Sequence, residues 1–93
     1  MAKNRFEQVD QREPDAITLS LRKTEGDPLA TVFCPAVISG GRLTEDTISK
    51  EMPLVEGFRS AVKLANELKA PIVVLDPDAV WMPEWGTLYR AAD

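Results

Sequence analysis

Asp76 and Asp78 are the side chains whose types and spacing come nearest to a reactive site. They flank Pro77 and follow the apolar run Ile72-Val73-Val74-Leu75. Two carboxylates so placed can divide nucleophilic and general-acid work, or hold a divalent cation through hard oxygen atoms. Glu84 would add a third oxygen, which makes Asp76, Asp78 and Glu84 the candidate ligands for magnesium or calcium. The same residues also satisfy a type I turn, with Asp first and Pro second, and a turn needs no chemistry. On that reading the segment carries no catalytic, cofactor-binding or metal-ligating residue.

The other reactive types are sparse. Cys34, the single cysteine, precedes Pro35 in an apolar stretch, and the chain has no histidine to activate it. It reads as a small core residue. The absence of histidine also removes Ser-His-Asp chemistry and histidine-rich zinc sites. Gly40-Gly41-Arg42 has the composition of a phosphate loop but neither of the spacings that cradle phosphates, so it reads as a loop.

The string Ile72 to Val80 resembles the first motif of the haloacid dehalogenase-like phosphohydrolases, an apolar strand followed by Asp-x-Asp. That resemblance would make Asp76 a nucleophile, Asp78 a general acid/base, and both of them organisers of magnesium. The chain departs from the pattern. Ala79-Val80 stand where the family has Gly-Thr, and Val80 to Asp93 contain no counterpart of its later motifs.

The elements that must hold these residues follow from patterning. Residues 1–15 are polar apart from Phe6 and Val9 and are expected to form a mobile tail ahead of a single small domain, 16–93. Ile17, Leu19 and Leu21 alternate with polar residues, which predicts a strand with one buried face. Thr24 to Pro28 is a turn, and Leu29 to Phe33 should return as the second strand of an antiparallel hairpin. Ala36-Val37-Ile38 would resume that strand, and Arg42 to Glu51 reads as a loop with at most one helical turn.

Leu54, Val55, Phe58, Ala61, Val62, Ala65 and Leu68 make one apolar stripe at helical spacing, predicting a helix over about 53–69. Pro53 suits its first position and Pro71 ends it. Ile72 to Leu75 runs apolar without alternation, as does a central strand covered on both faces, the second cover being a partner or a tail. Val80 to Met82 would return as a short antiparallel strand, and Pro83 to Asp93 as a short helix or an ordered aromatic tail.

The order β-β-α-β-(β) predicts an α+β two-layer sandwich, one main helix on a three- or four-stranded antiparallel or mixed sheet. A helix returning across the hairpin should deliver the third strand antiparallel to the first. The helix Ala61 to Leu68, the turn Val73 to Asp78 and the pair Trp85-Gly86 resemble those of small uncharacterised bacterial β-β-α-β proteins. That resemblance implies a fold and no activity.

The balance of 15 acidic and 11 basic residues gives a net charge of −4, which disfavours nucleic acid as a partner. Arg12, Arg22 and Lys23 are interspersed with acids. One cysteine, no apolar span and no apolar run after Met1 to Arg5 point to a cytoplasmic protein away from membranes. Trp81, Trp85 and Tyr89 are the candidate interaction residues, since aromatic side chains dominate both interface hot spots and small cores. The function expected is a non-enzymatic interaction module with no cofactor. Its partner is another protein or itself, as in a homodimer. The alternative is a small-molecule or magnesium site at Asp76-Pro77-Asp78.

Overall fold

The computed structural model describes residues 5–41 and 43–90. Among them, one helix packs on one face of a mixed sheet of seven strands, the two-layer α+β arrangement expected. The strands are β1 (Arg5–Val9), β2 (Ile17–Arg22), β3 (Leu29–Cys34), β4 (Thr47–Ile48), β5 (Met52–Pro53), β6 (Ile72–Leu75) and β7 (Thr87–Tyr89), and the helix is α1 (Leu54–Leu68). Their order across the sheet is β4-β3-β2-β6-β1-β7, with β5 also paired to β3.

The hairpin forms as its alternation requires. β2 and β3 pair antiparallel with Leu19 opposite Val32 and Leu21 opposite Ala30. These four side chains, with Ile17 and Val74, form the buried floor under α1. The turn is closed by Thr24, whose hydroxyl donates to the Asp27 carbonyl and accepts from the Gly26 amide.

α1 presents Leu54, Gly57, Ala61 and Ala65 to the sheet as its buried line. Val55 falls off this line and is 41% exposed, a correction to the expected stripe. Pro53 sits one residue earlier than expected, as the cap in β5. The helix ends at Lys69, in the left-handed conformation, and the Ala70 amide reaches back to the Ala65 carbonyl. That is a Schellman-like stop placed just before Pro71.

The strand after the helix, β6, lies beside β2 and runs parallel to it, where an antiparallel direction was expected. The cause is a reversal before the helix. The loop after β3 returns along its outer edge as β4, opposite Phe33 and Cys34, and β5, opposite Ala30 and Leu29. The helix therefore starts from a strand antiparallel to β3, and β5-α1-β6 is a parallel crossover. Ala36–Ile38, expected as strand, is a single 3-10 turn.

Residues 1–15 need the largest correction. Residues 1–4 lie outside the described residues, but Arg5–Val9 is a strand held between β6 and β7, parallel to both. Phe6 and Val9 are three residues apart, so on a strand they face opposite sides. Phe6 joins the aromatic cluster beneath α1, while Val9 packs with Ala16 and Val73 on the other face.

The connection from β1 to β2 crosses that second face. Its Glu13 amide donates to the hydroxyl of Thr18, a fully buried residue, and Arg12 stacks on the Phe33 ring at 4.9 Å. This covers β6 on its second face with the chain's own segment, and Val73 and Val74 are both buried. The unalternated apolar run is explained without a partner.

Candidate functional site

β6 ends at Leu75, and the chain must then reach β7 on the far side of β1. It does so by a crossover, 76–86, on the helix face. Two parallel strands cannot be joined by a tight turn. Val80 to Met82, expected as a returning strand, is therefore irregular loop, and the strand comes later, at Thr87–Tyr89. Pro83–Trp85 is one 3-10 turn in place of a short helix.

Asp76 organises the start of this crossover. It is 4% exposed, and its two carboxylate oxygens accept the backbone amides of Val80 at 2.9 Å and Trp81 at 3.0 Å. Its own carbonyl accepts from the Gln8 side chain on β1 at 3.3 Å. Ala79, between them, takes the left-handed conformation with φ 57°. A carboxylate whose oxygens both cap backbone amides is an anchor, with its charge spent on local hydrogen bonds.

Asp78 faces elsewhere. Its carboxylate accepts the Lys23 backbone amide at 2.9 Å, tying the crossover to the hairpin turn. Glu84 is exposed on the 3-10 turn. Among the described residues, no group of three or more His, Cys, Asp or Glu is placed to hold a metal ion. Asp76 and Asp78 thus make separate hydrogen bonds, and Pro77 and Asp78 form the turn between Asp76 and Ala79.

Trp81 and Trp85 close over the helix. Phe58 stacks on Trp85 with centroids 4.3 Å apart and planes 3° from parallel. Trp81 meets Phe6, Phe58 and Trp85 edge to face at 5.2, 5.7 and 5.2 Å. Its indole N–H donates to the Gly86 carbonyl at 3.1 Å. The two tryptophans remain half-buried, so they seal one side of the core with part of each ring in solvent.

Tyr89 is separated from them. Where a short helix or an ordered aromatic tail was expected over Pro83 to Asp93, Tyr89 lies on β7 and points away from α1. The Arg5 guanidinium sits 4.5 Å from its ring, and Tyr89 is 37% exposed. Leu88, between Thr87 and Tyr89, packs inward against the helix-side core. Gly86 sets this geometry: its φ of 140° is open to glycine and strained for other residues. Gly86 followed by Thr-Leu-Tyr is the local signal for β7, a backbone break ahead of two strand-favouring residues, Thr87 and Tyr89.

Cys34 lies on the helix face of β3 and is 5% exposed. Burial raises its pKa, with a further push from the Asp46 carboxylate, so the thiol stays protonated at neutral pH. Gly40 and Gly41 both have positive φ and form the loop expected of them, while Arg42 lies outside the described residues. Among the described residues no helix is long and apolar enough to cross a membrane.

Compared with known protein families, curated proteins and solved structures, the chain matches none.

Proposed function

We propose that the protein is a non-enzymatic interaction module that associates with a second copy of itself through β7. The observation that carries this reading is the state of the two sheet edges. On one side, β4 and β5 are separated by Ser49 to Glu51, and β5 contains Pro53, which has no N–H to offer. That edge is blunted in the ways that protect sheets from further pairing.

On the other side the sheet ends at β7, which has no outer neighbour among the described residues. It is short but carries neither proline nor lysine, and its exposed face presents Thr87 and Tyr89. A second copy added about a two-fold axis would pair antiparallel, with Leu88 opposite itself and Thr87 opposite Tyr89 of the second copy. A β-branched residue facing an aromatic one stabilises a cross-strand pair by roughly 0.2–1 kcal/mol. Trp81, Trp85 and Asp76 support this reading indirectly, because they fix the crossover that delivers β7 to the edge.

Amide hydrogen exchange tests the proposal. Protection across Thr87–Tyr89 should rise with protein concentration, while protection in β2 and β6 stays constant. Protection of β7 that does not change with concentration would overturn it.

A further inference from the structure

A cavity of about 500 Å³ opens between the second half of α1 and the outer edge of β3. Its walls are apolar: Val32 and Cys34 from β3, Leu64 and Leu68 from α1, with Leu43 and Met52 at the sides. Small-molecule sites are mostly apolar and occupy about 300–1,000 Å³, so the volume suits one small ligand. The cavity lies at the opposite edge of the sheet from β7, and its occupation is independent of self-association there.

The polar groups around it are mostly committed. The Ser49 hydroxyl accepts the Val32 amide at 2.9 Å and donates to the Lys50 carbonyl at 3.0 Å. The Ser39 hydroxyl donates to the Ala36 carbonyl at 2.7 Å and accepts the Leu43 amide at 3.0 Å. Both hydroxyls hold the loop beside the cavity and have their hydrogen bonds satisfied within it. Glu67, on the lining, makes a contact of its own. Lys63, one helical turn before it, lines the same mouth and has no hydrogen bond or ion pair with any described residue.

An apolar cavity whose mouth carries the Lys63 ammonium, uncommitted among the described residues, selects for a ligand with an apolar body and one anionic end. The thiol on its wall does not add reactivity, since burial holds it protonated. We propose that this cavity binds a single-chain carboxylate, its alkyl chain lying against Val32, Leu64 and Leu68 and its carboxylate meeting the Lys63 ammonium.

The test is a titration of isotope-labelled full-length protein with decanoate below its aggregation concentration, followed by amide chemical shifts. Decanol and decyltrimethylammonium are titrated in parallel. Decanoate should saturably shift the amides of Cys34, Leu64 and Leu68. It should bind more tightly than decyltrimethylammonium. Lys63→Glu, at an exposed position, should weaken decanoate by about tenfold at low salt, the attraction being replaced by repulsion, and leave decanol unchanged. Shifts that do not saturate, or that spread over the surface, would overturn the proposal. So would tight binding of the cationic chain, or equal weakening of decanoate and decanol by the substitution.

Discussion

Gly57 on α1 packs its backbone against the methyl group of Ala30 on β3: a Cβ on Gly57 would stand 2.5 Å from the Cβ of Ala30. Helix and sheet meet more closely here than any larger side chain permits. The Ala30 methyl cannot swing aside, because it is fixed to the strand. Gly57→Ala should therefore lose stability, even though alanine favours the helix by about 1 kcal/mol over glycine. Overpacking costs about 1–3 kcal/mol, so the net loss expected in urea unfolding is up to about 2 kcal/mol. Ala30→Gly in the same chain should recover part of it. An increase in stability for Gly57→Ala alone would show that the contact is slack.

Asp76 and Asp78 should differ sharply when removed. Asp76→Ala leaves the part-buried amides of Val80 and Trp81 without their acceptor. The expected cost is about 3 kcal/mol, with a red shift of tryptophan emission as the crossover loosens. Asp78→Ala removes one exposed bond to the Lys23 amide and should cost about 1 kcal/mol or less. Equal and small losses at both positions would contradict the anchoring role.

The parts of this fold that were legible in the sequence are those whose pattern is local. The α1 stripe and the alternation of β2 state which face each element buries. Ile72 to Leu75 lacks alternation because both of its faces are covered. β1 was not legible, because its two apolar residues serve opposite faces and so break the period of two. β4 and β5 were missed because an edge strand needs few apolar residues, and their absence from the reading inverted the direction of β6. The aspartate turn was recognised as a turn, but not that Asp76 would spend both oxygens on Val80 and Trp81. That pairing follows from the long crossover to β7, which is a property of topology and not of local spacing.

Cys34 should be slow to react. Its thiol is buried and held protonated, first by desolvation and then by Asp46. Alkylation at neutral pH should follow the fraction of open protein and accelerate through the urea transition. Rapid alkylation of the native state would require an activated, accessible thiolate at this position.

The exposed pair of Arg22 and Glu51 gives a small pH dependence of known sign. The hydrogen bond from Arg22, aided by its charge, lowers the Glu51 pKa below the usual glutamate value. Its folded pKa lies below its unfolded one, so its contribution is present above the ordinary glutamate range. It is lost as pH falls through the depressed value. Glu51→Gln should flatten this part of the stability curve, and added salt should do the same to the wild type. A pH dependence unchanged by the substitution would assign it to other carboxylates.

Sedimentation velocity over a concentration series tests self-association at β7 most directly. Wild-type protein is compared with the double substitution Thr87→Lys and Tyr89→Lys, which places like charges opposite each other across the two-fold axis. Both positions are exposed, so the monomer should keep its fold, with its unfolding midpoint lowered only slightly by loss of the Arg5–Tyr89 contact. The wild type is predicted to shift from monomer to dimer as concentration rises, and the double variant to stay monomeric throughout. A wild type that remains monomeric, or a double variant that dimerises equally well, would contradict β7 as the interface.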